Sequence, residues 1–175
     1  WIEVIKLTIS TTTIKNSYSG NGSTSVFNYT FKITDDDDIQ VIIRSSSGTE
    51  TIKTKTTHYT VSGVGNSSGS ITFTSGNIPA NGETVVLRRV TPQTQGMDLI
   101  ENDPLPAETL ENAFDKVTSI VQELQEQLDR SIKVSKTATI TTPEITDDAS
   151  ARAGKLLGFD ATGNVLDATI DGSGV

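Results

Sequence analysis

The sequence contains no cysteine and only one histidine among its 175 residues. Without cysteine the chain can form no disulfide, no thiolate nucleophile and no Cys-ligated metal site. One histidine, His58, cannot assemble a zinc site of the usual composition, so we expect no metal and no cofactor. His58 lies in the strand-like run His58–Val61, where we predict an exposed or cross-strand role.

Basic residues and long apolar runs are also scarce. The chain has 14 Lys and Arg against 22 Asp and Glu, which gives a formal net charge of −8. Nucleic acids and anionic membranes need basic patches, so we expect neither as the main partner. The longest basic cluster is the pair Arg88–Arg89, for which the simplest interpretation is charge at a strand end. No apolar run approaches the length of a membrane span, and we expect no membrane insertion.

Motifs of catalysis are missing as well. The sequence has no Gly-x-Ser-x-Gly nucleophile motif and no phosphate-binding glycine loop. The acidic run Asp35–Asp38 lacks the alternating ligands and the central glycine of an EF-hand loop, so we predict a solvated turn. We therefore expect no catalytic residue and no enzymatic activity in this chain. Because the only methionine is Met97, we also expect the chain to be a piece of a longer protein.

Threonine and serine are abundant instead, with 27 Thr and 18 Ser. Short runs with alternating apolar residues, separated by Gly- and Asn-rich turns, fill residues 1–90 and favour six or seven strands of a small β-sandwich. The alternating apolar residues are Phe27, Tyr29 and Phe31; Ile39, Val41 and Ile43; Tyr59 and Val61; Ile71 and Phe73; and Val85 and Leu87.

The rest of the chain changes character twice. Residues 91–106 form a proline-containing connector, and a helix is predicted over 107–134, with prolines tolerated before its first turn. Residues 135–175 comprise a Thr-rich linker and a hairpin of Lys155–Phe159 with Val165–Ile170, the predicted start of a β-rich shaft. The expected fold is thus an all-β, sandwich-like N-terminal domain, then a long α-helix forming a coiled-coil stalk, then the beginning of a fibre shaft.

The helical region carries the clearest pattern in the sequence. Its apolar residues recur at spacings of four and three, as in the heptad of a coiled coil, whose a and d positions face a partner helix. The predicted oligomer interface consists of Leu110, Phe114, Val117, Val121, Leu124 and Leu128, and the rhythm extends to Ser131.

Two points stay open from the pattern alone. An amphipathic helix packed on its own β-domain would show a similar stripe, so the heptads do not by themselves prove self-association. The mixture of aromatic, β-branched and Leu residues also does not choose between two and three strands.

Several segments resemble one known family in their order and spacing between residues 8 and 136. They are similar to the N-terminal, virion-attaching region of tail fibres and tailspikes from short-tailed bacteriophages. The similar segments are Phe27–Phe31, Asp38–Val41, His58–Val61, Arg89–Gln95, Asp98–Leu99, Leu105–Ala107, Leu110–Glu111, Phe114–Lys116, Gln122–Leu124 and Leu128–Val134. His58 departs from the pattern, since an acidic residue would be expected before the tyrosine.

The resemblance implies a structural protein of the virion tail, made in the host cytoplasm. It implies a homotrimer whose N-terminal domains dock onto tail adaptor and nozzle proteins, with the portal as a further neighbour. A distal part beyond this chain would bind the host receptor. The alternative is the anchoring head of a polysaccharide-degrading tailspike whose catalytic part lies beyond residue 175. A bacterial adhesin stalk is a third option, and it would need a secretion signal and a membrane anchor.

Overall fold

The structure, a computed structural model, describes residues 9–97, 107–137, 150, 153, 155–159 and 165–169. The chain divides into two compact units, Trp1–Arg130 and Ser131–Val175. The first unit therefore contains both the β-strands of the N-terminal region and the helix. We refer to residues 9–97 as the head.

Seven short strands form the head. They are β1 (Lys15–Ser19), β2 (Val26–Tyr29), β3 (Ile39–Arg44), β4 (Glu50–Lys53), β5 (Tyr59–Ser62), β6 (Gly69–Phe73) and β7 (Thr84–Arg89). Four of them make an antiparallel sheet in the order β1-β7-β3-β4, and three make a second antiparallel sheet in the order β2-β6-β5. The prediction of six or seven strands is confirmed.

The two sheets share one hydrophobic core, the arrangement of a β-sandwich. All strands except β4, whose Ile52 is exposed, contribute side chains to this core or its edge. Within a strand these side chains lie at alternate positions, because successive side chains of a strand lie on opposite faces. The residues of the core are Phe27, Tyr29, Phe31, Ile33, Ile39, Val41, Ile43, Tyr59, Ile71, Phe73, Val85 and Leu87, with Val61 and Tyr18 packed at its edge. This set contains all the alternating apolar residues predicted from the sequence.

The acidic turn differs in part from its prediction. Asp35 and Asp37 are exposed, as expected, but Asp38 is buried. One carboxylate oxygen of Asp38 accepts hydrogen bonds from the backbone N–H groups of Thr34 and Asp35 and from the Thr34 hydroxyl. Asp38 is therefore a buried hydrogen-bond acceptor that closes the turn before β3. The prediction of a solvated turn holds only for the acidic residues before Asp38.

Helix α1 spans Ala107–Asp129 and is about 35 Å long at 1.5 Å per residue. It ends five residues before the predicted Val134. The Arg130 guanidinium donates to both carboxylate oxygens of Glu126, and the Arg130 N–H is shared between the carbonyls of Glu126 and Gln127, a common pattern at helix ends. Beyond it the β-branched Ile132 is 89% exposed, so its side chain provides no packing that would support another helical turn. Among the described residues, no helix is long and apolar enough to cross a membrane.

The second unit contains the predicted hairpin. Strands β8 (Lys155–Phe159) and β9 (Val165–Thr169) pair antiparallel, with Lys155 opposite Thr169 and Phe159 opposite Val165. The predicted turn at 160–164 and most of the predicted linker lie outside the described residues. That this hairpin begins a fibre shaft stays a prediction.

Candidate functional site

The apolar stripe of α1 is exposed along its length. We call its six residues the apolar seam: Leu110, Phe114, Val117, Val121, Leu124 and Leu128. Leu110 is half-buried, and the other five are between 44% and 62% exposed. Single exposed apolar side chains are ordinary, but five on one helical face form a contiguous patch typical of an interaction surface.

The buried face of α1 is polar instead. Asp115, Ser119 and Glu123 follow one another at intervals of four residues and are the buried residues of the helix. Side chains at such intervals lie above one another on one face, and this face contacts the head. We call it the acidic face and include in it Gln122 and Glu126. The helix does pack on its own β-domain, but through the face that the heptad pattern left unassigned.

Arg89 and Glu123 form the centre of this contact. Arg89, the last residue of β7, donates from Nε to Oε1 of Glu123 over 2.9 Å, and its side chain is only 1% exposed. Thr91 donates its backbone N–H to Oε2 of Glu123 over 2.9 Å and its hydroxyl to Oε1 over 2.6 Å. The Arg89 Nη2 also donates to Gln122 Oε1 over 2.7 Å. Each of the two buried charged groups thus forms several hydrogen bonds. A buried ion pair is tolerated when such bonds offset the cost of removing its charges from water.

A second buried ion pair lies two helical turns earlier. Lys32 Nζ is 2.8 Å from Oδ2 of Asp115, and both side chains are less than a tenth exposed. The other carboxylate oxygen, Oδ1, accepts the backbone N–H of Ile9 over 3.1 Å. Gln122 Nε2 donates to the carbonyl of Thr11 over 3.0 Å. The segment before β1 therefore also lies against the acidic face.

At the edge of the contact, too, the cations belong to the head and the anion belongs to the helix. Lys15 and Arg88 of the head lie 3.8 and 4.0 Å from the carboxylate of Glu126. The hydrogen bond from Arg130, with the positive charges of Arg130, Arg88 and Lys15, holds the pKa of Glu126 below its usual range. We call Lys15, Lys32, Arg88 and Arg89 the basic cradle. In each of these head–helix ion pairs the head supplies the cation and the helix supplies the anion.

Sequence reasoning missed this contact. The Arg88–Arg89 pair does lie at the end of a strand, as predicted, but Arg89 is a buried ion-pair partner and not a surface charge. The available signal was the acidic side of the heptad. With Phe114, Val121 and Leu128 at position a, the residues Asp115, Ser119 and Glu123 take positions b, f and c, opposite the seam.

Two other candidates prove to be local structure. His58, the residue before β5, accepts the Thr54 N–H at Nδ1 over 2.9 Å. The carboxylates of Asp35, Asp36 and Asp37 lie close together, but Lys55 forms ion pairs with Asp36 and Asp37. Lys55 thus supplies positive charge beside this acidic cluster.

Comparison with known proteins points to a phage tail. No protein-family model matches the chain. An alignment of 134 residues, which covers 73% of the chain, is 37% identical to the tail spike protein of Salmonella phage epsilon15. This similarity confirms the resemblance to the N-terminal region of podovirus tail fibres and tailspikes. The chain spans 12% of the length of that tail spike protein. For this tailspike-like region the similarity supports a structural or attachment role in the phage tail.

Proposed function

We propose that this chain anchors a trimeric tail fibre to the virion, with the head docked on the tail and α1 forming the top of a three-stranded stalk. The apolar seams of three copies would pack together, and the heads would lie outside. A distal part beyond residue 175 would engage the host. The chain itself would transmit that engagement to the tail without catalysing a reaction.

The orientation of α1 is the observation that carries this proposal. A helix packed on its own domain normally buries its apolar stripe. Here the seam is exposed although the helix has a domain to pack against, and the face in contact is acidic. An exposed stripe with heptad spacing matches itself, so a second copy of the same helix is the partner that fits it. The number three and the tail partners come from the family resemblance.

Substitution in the seam tests the association. Val121→Asp places a charge without a partner in the centre of the seam, where burial of an unpaired charge is strongly unfavourable. We expect the mass measured by light scattering to fall to that of the single 18.7 kDa chain. Thr109→Asp is the matched control, because it adds the same charge at an exposed c position of the same helix, away from the seam and from its e and g flanks. If both variants are monomers, or if neither is, the claim that the copies associate through the apolar seam is contradicted.

Docking needs a separate experiment. The chain, immobilised through its C terminus, should retain the adaptor and nozzle proteins of the phage tail. Deleting residues 1–100 should abolish retention, because it removes the head. The Val121→Asp monomer should still bind, since its head is unchanged, but more weakly than the oligomer, since it has lost multivalency. Retention by the deleted chain would place the docking surface outside the head.

The alternative assigns the same anchor to an enzyme. In a polysaccharide-degrading tailspike this region would be the head, and the catalytic part would lie beyond residue 175. We expect no turnover of capsule or lipopolysaccharide by the chain alone. Turnover would contradict the non-enzymatic assignment made here.

A further inference from the structure

The two faces of α1 correspond to the two sides of a coiled-coil helix. In a heptad the a and d positions face the partner helices, and b, c and f lie on the opposite side. The buried Asp115, Ser119 and Glu123 occupy b, f and c in the register set by the seam. The head thus covers the side that a coiled coil leaves free. Contact with the head and contact with other copies do not compete for the same residues.

Charge explains why the helix takes this orientation. Lys32 and Arg89 are buried at the head surface, where a cation without a partner is costly. Asp115 and Glu123 satisfy them only in one rotation of the helix about its axis. One residue of helix corresponds to 100° of rotation, so turning the seam toward the head would place apolar side chains against both cations. If apolar residues stood in place of these two cations, the head would not oppose that rotation.

The segment before β1 adds a second restraint. Gln122 bonds the Arg89 guanidinium through its oxygen and the Thr11 carbonyl through its nitrogen. Its amide is therefore used at both ends, and a rotated helix would break both bonds. The Ile9 N–H likewise has its acceptor on Asp115. Directional bonds of this kind select a geometry, whereas apolar contacts tolerate several.

We propose that the basic cradle fixes the rotation of α1 so that the apolar seam cannot fold back onto its own head. The seam then stays available to a second copy of this chain. That use of the seam rests on the proposed function, but the orienting role of the cradle does not, and a monomeric form of the chain can test it.

The absence of cysteine makes a thiol-labelling experiment direct. In the full Val121→Asp chain, one introduced thiol at a time is reacted with a thiol-specific probe: Val117→Cys on the seam or Ser119→Cys on the acidic face. We expect Ser119→Cys to react roughly tenfold more slowly, a ratio that corresponds to 1.4 kcal/mol. The labelling rates of the same two thiols are then measured in chains that also carry Asp115→Ala and Glu123→Ala. There we expect the difference between the two rates to disappear or reverse.

A second form guards against simple unfolding. Replacing Lys32, Asp115, Arg89 and Glu123 all by Met removes both ion pairs without leaving a buried charge, a change that proteins often tolerate. Its circular dichroism should match the parent, and its labelling contrast should also be lost. Equal labelling rates of the two thiols in the Val121→Asp chain would overturn the proposal. So would a rate difference that is unchanged both in the form with Asp115→Ala and Glu123→Ala and in the form with four Met substitutions. A monomeric wild-type chain would refute the proposed function and leave the labelling contrast intact.

Discussion

Arg89 illustrates how much a single residue can depend on a distant part of the sequence. It ends β7, yet its charge is balanced by Glu123, 34 residues later. An Arg-Arg pair at the end of a strand is most simply interpreted as surface charge, since burial depends on what packs above it. Only the position of the helix decides the environment of this residue, and that position is a tertiary property.

Removing the carboxylate of Glu123 should destabilise the first unit strongly. Glu123→Ala leaves Arg89 buried without its counter-charge and Thr91 without its acceptor, so we expect a loss of about 3–5 kcal/mol. Glu123→Gln keeps an acceptor oxygen and should lose less. Urea unfolding of both variants at one protein concentration, in the Val121→Asp background, measures the difference. Equal and small losses would mean that this ion pair does not hold the helix.

Glu126 should contribute to the acid sensitivity of the helix end. Its hydrogen bond from Arg130 lowers its pKa in the folded state, so the folded protein favours the ionised form more than the unfolded chain does. That stabilisation is present above the ordinary carboxyl pKa and is lost as the pH falls through the lowered one. We expect Glu126→Gln to reduce the loss of stability on acidification, as measured by thermal melts between neutral and acid pH. A melting temperature with the same pH dependence as the parent would contradict this.

At the scale of elements, the flanks of the seam predict how association responds to salt. Positions e and g hold Glu111, Thr118 and Gln125, and Ala113, Ile120 and Gln127, with no Lys or Arg among them. Interhelical ion pairs of the usual e–g kind are therefore excluded, and the association proposed for the seam would be driven by burial of apolar surface.

We accordingly expect the oligomer to survive an increase to about 1 M salt, where screening acts over roughly 3 Å. Sedimentation at low and high salt measures this, with Val121→Asp as the control for a chain that does not associate. Dissociation at high salt would show that charge, and not the seam, holds the copies together.

The sequence predicted some elements better than others, for physical reasons. Strict alternation, as in Phe27, Tyr29 and Phe31, located the strands, because a sandwich core needs one apolar face per strand. The described helix spans Ala107–Asp129 and ends five residues before the predicted Val134. Beyond Asp129 the side chain of Ile132 is exposed, and a helix without packing on its apolar side chains is marginal. The acidic face was missed because its partners come from β7 and from residue 32.

At the scale of the whole molecule, a head and a helix joined by charge leave an apolar seam exposed. The basic cradle and the acidic face connect the head to the helix, and the seam lies outside this contact. This division of roles matches a chain similar to the N-terminal region of podovirus tail fibres and tailspikes.

Sedimentation equilibrium of the unmodified chain tests the central claim most directly. A seam shared by three copies predicts a mass three times that of the 18.7 kDa chain over a range of concentrations. A mass equal to one chain at every concentration would contradict self-association through α1, and a mass of two chains would contradict the three-stranded stalk.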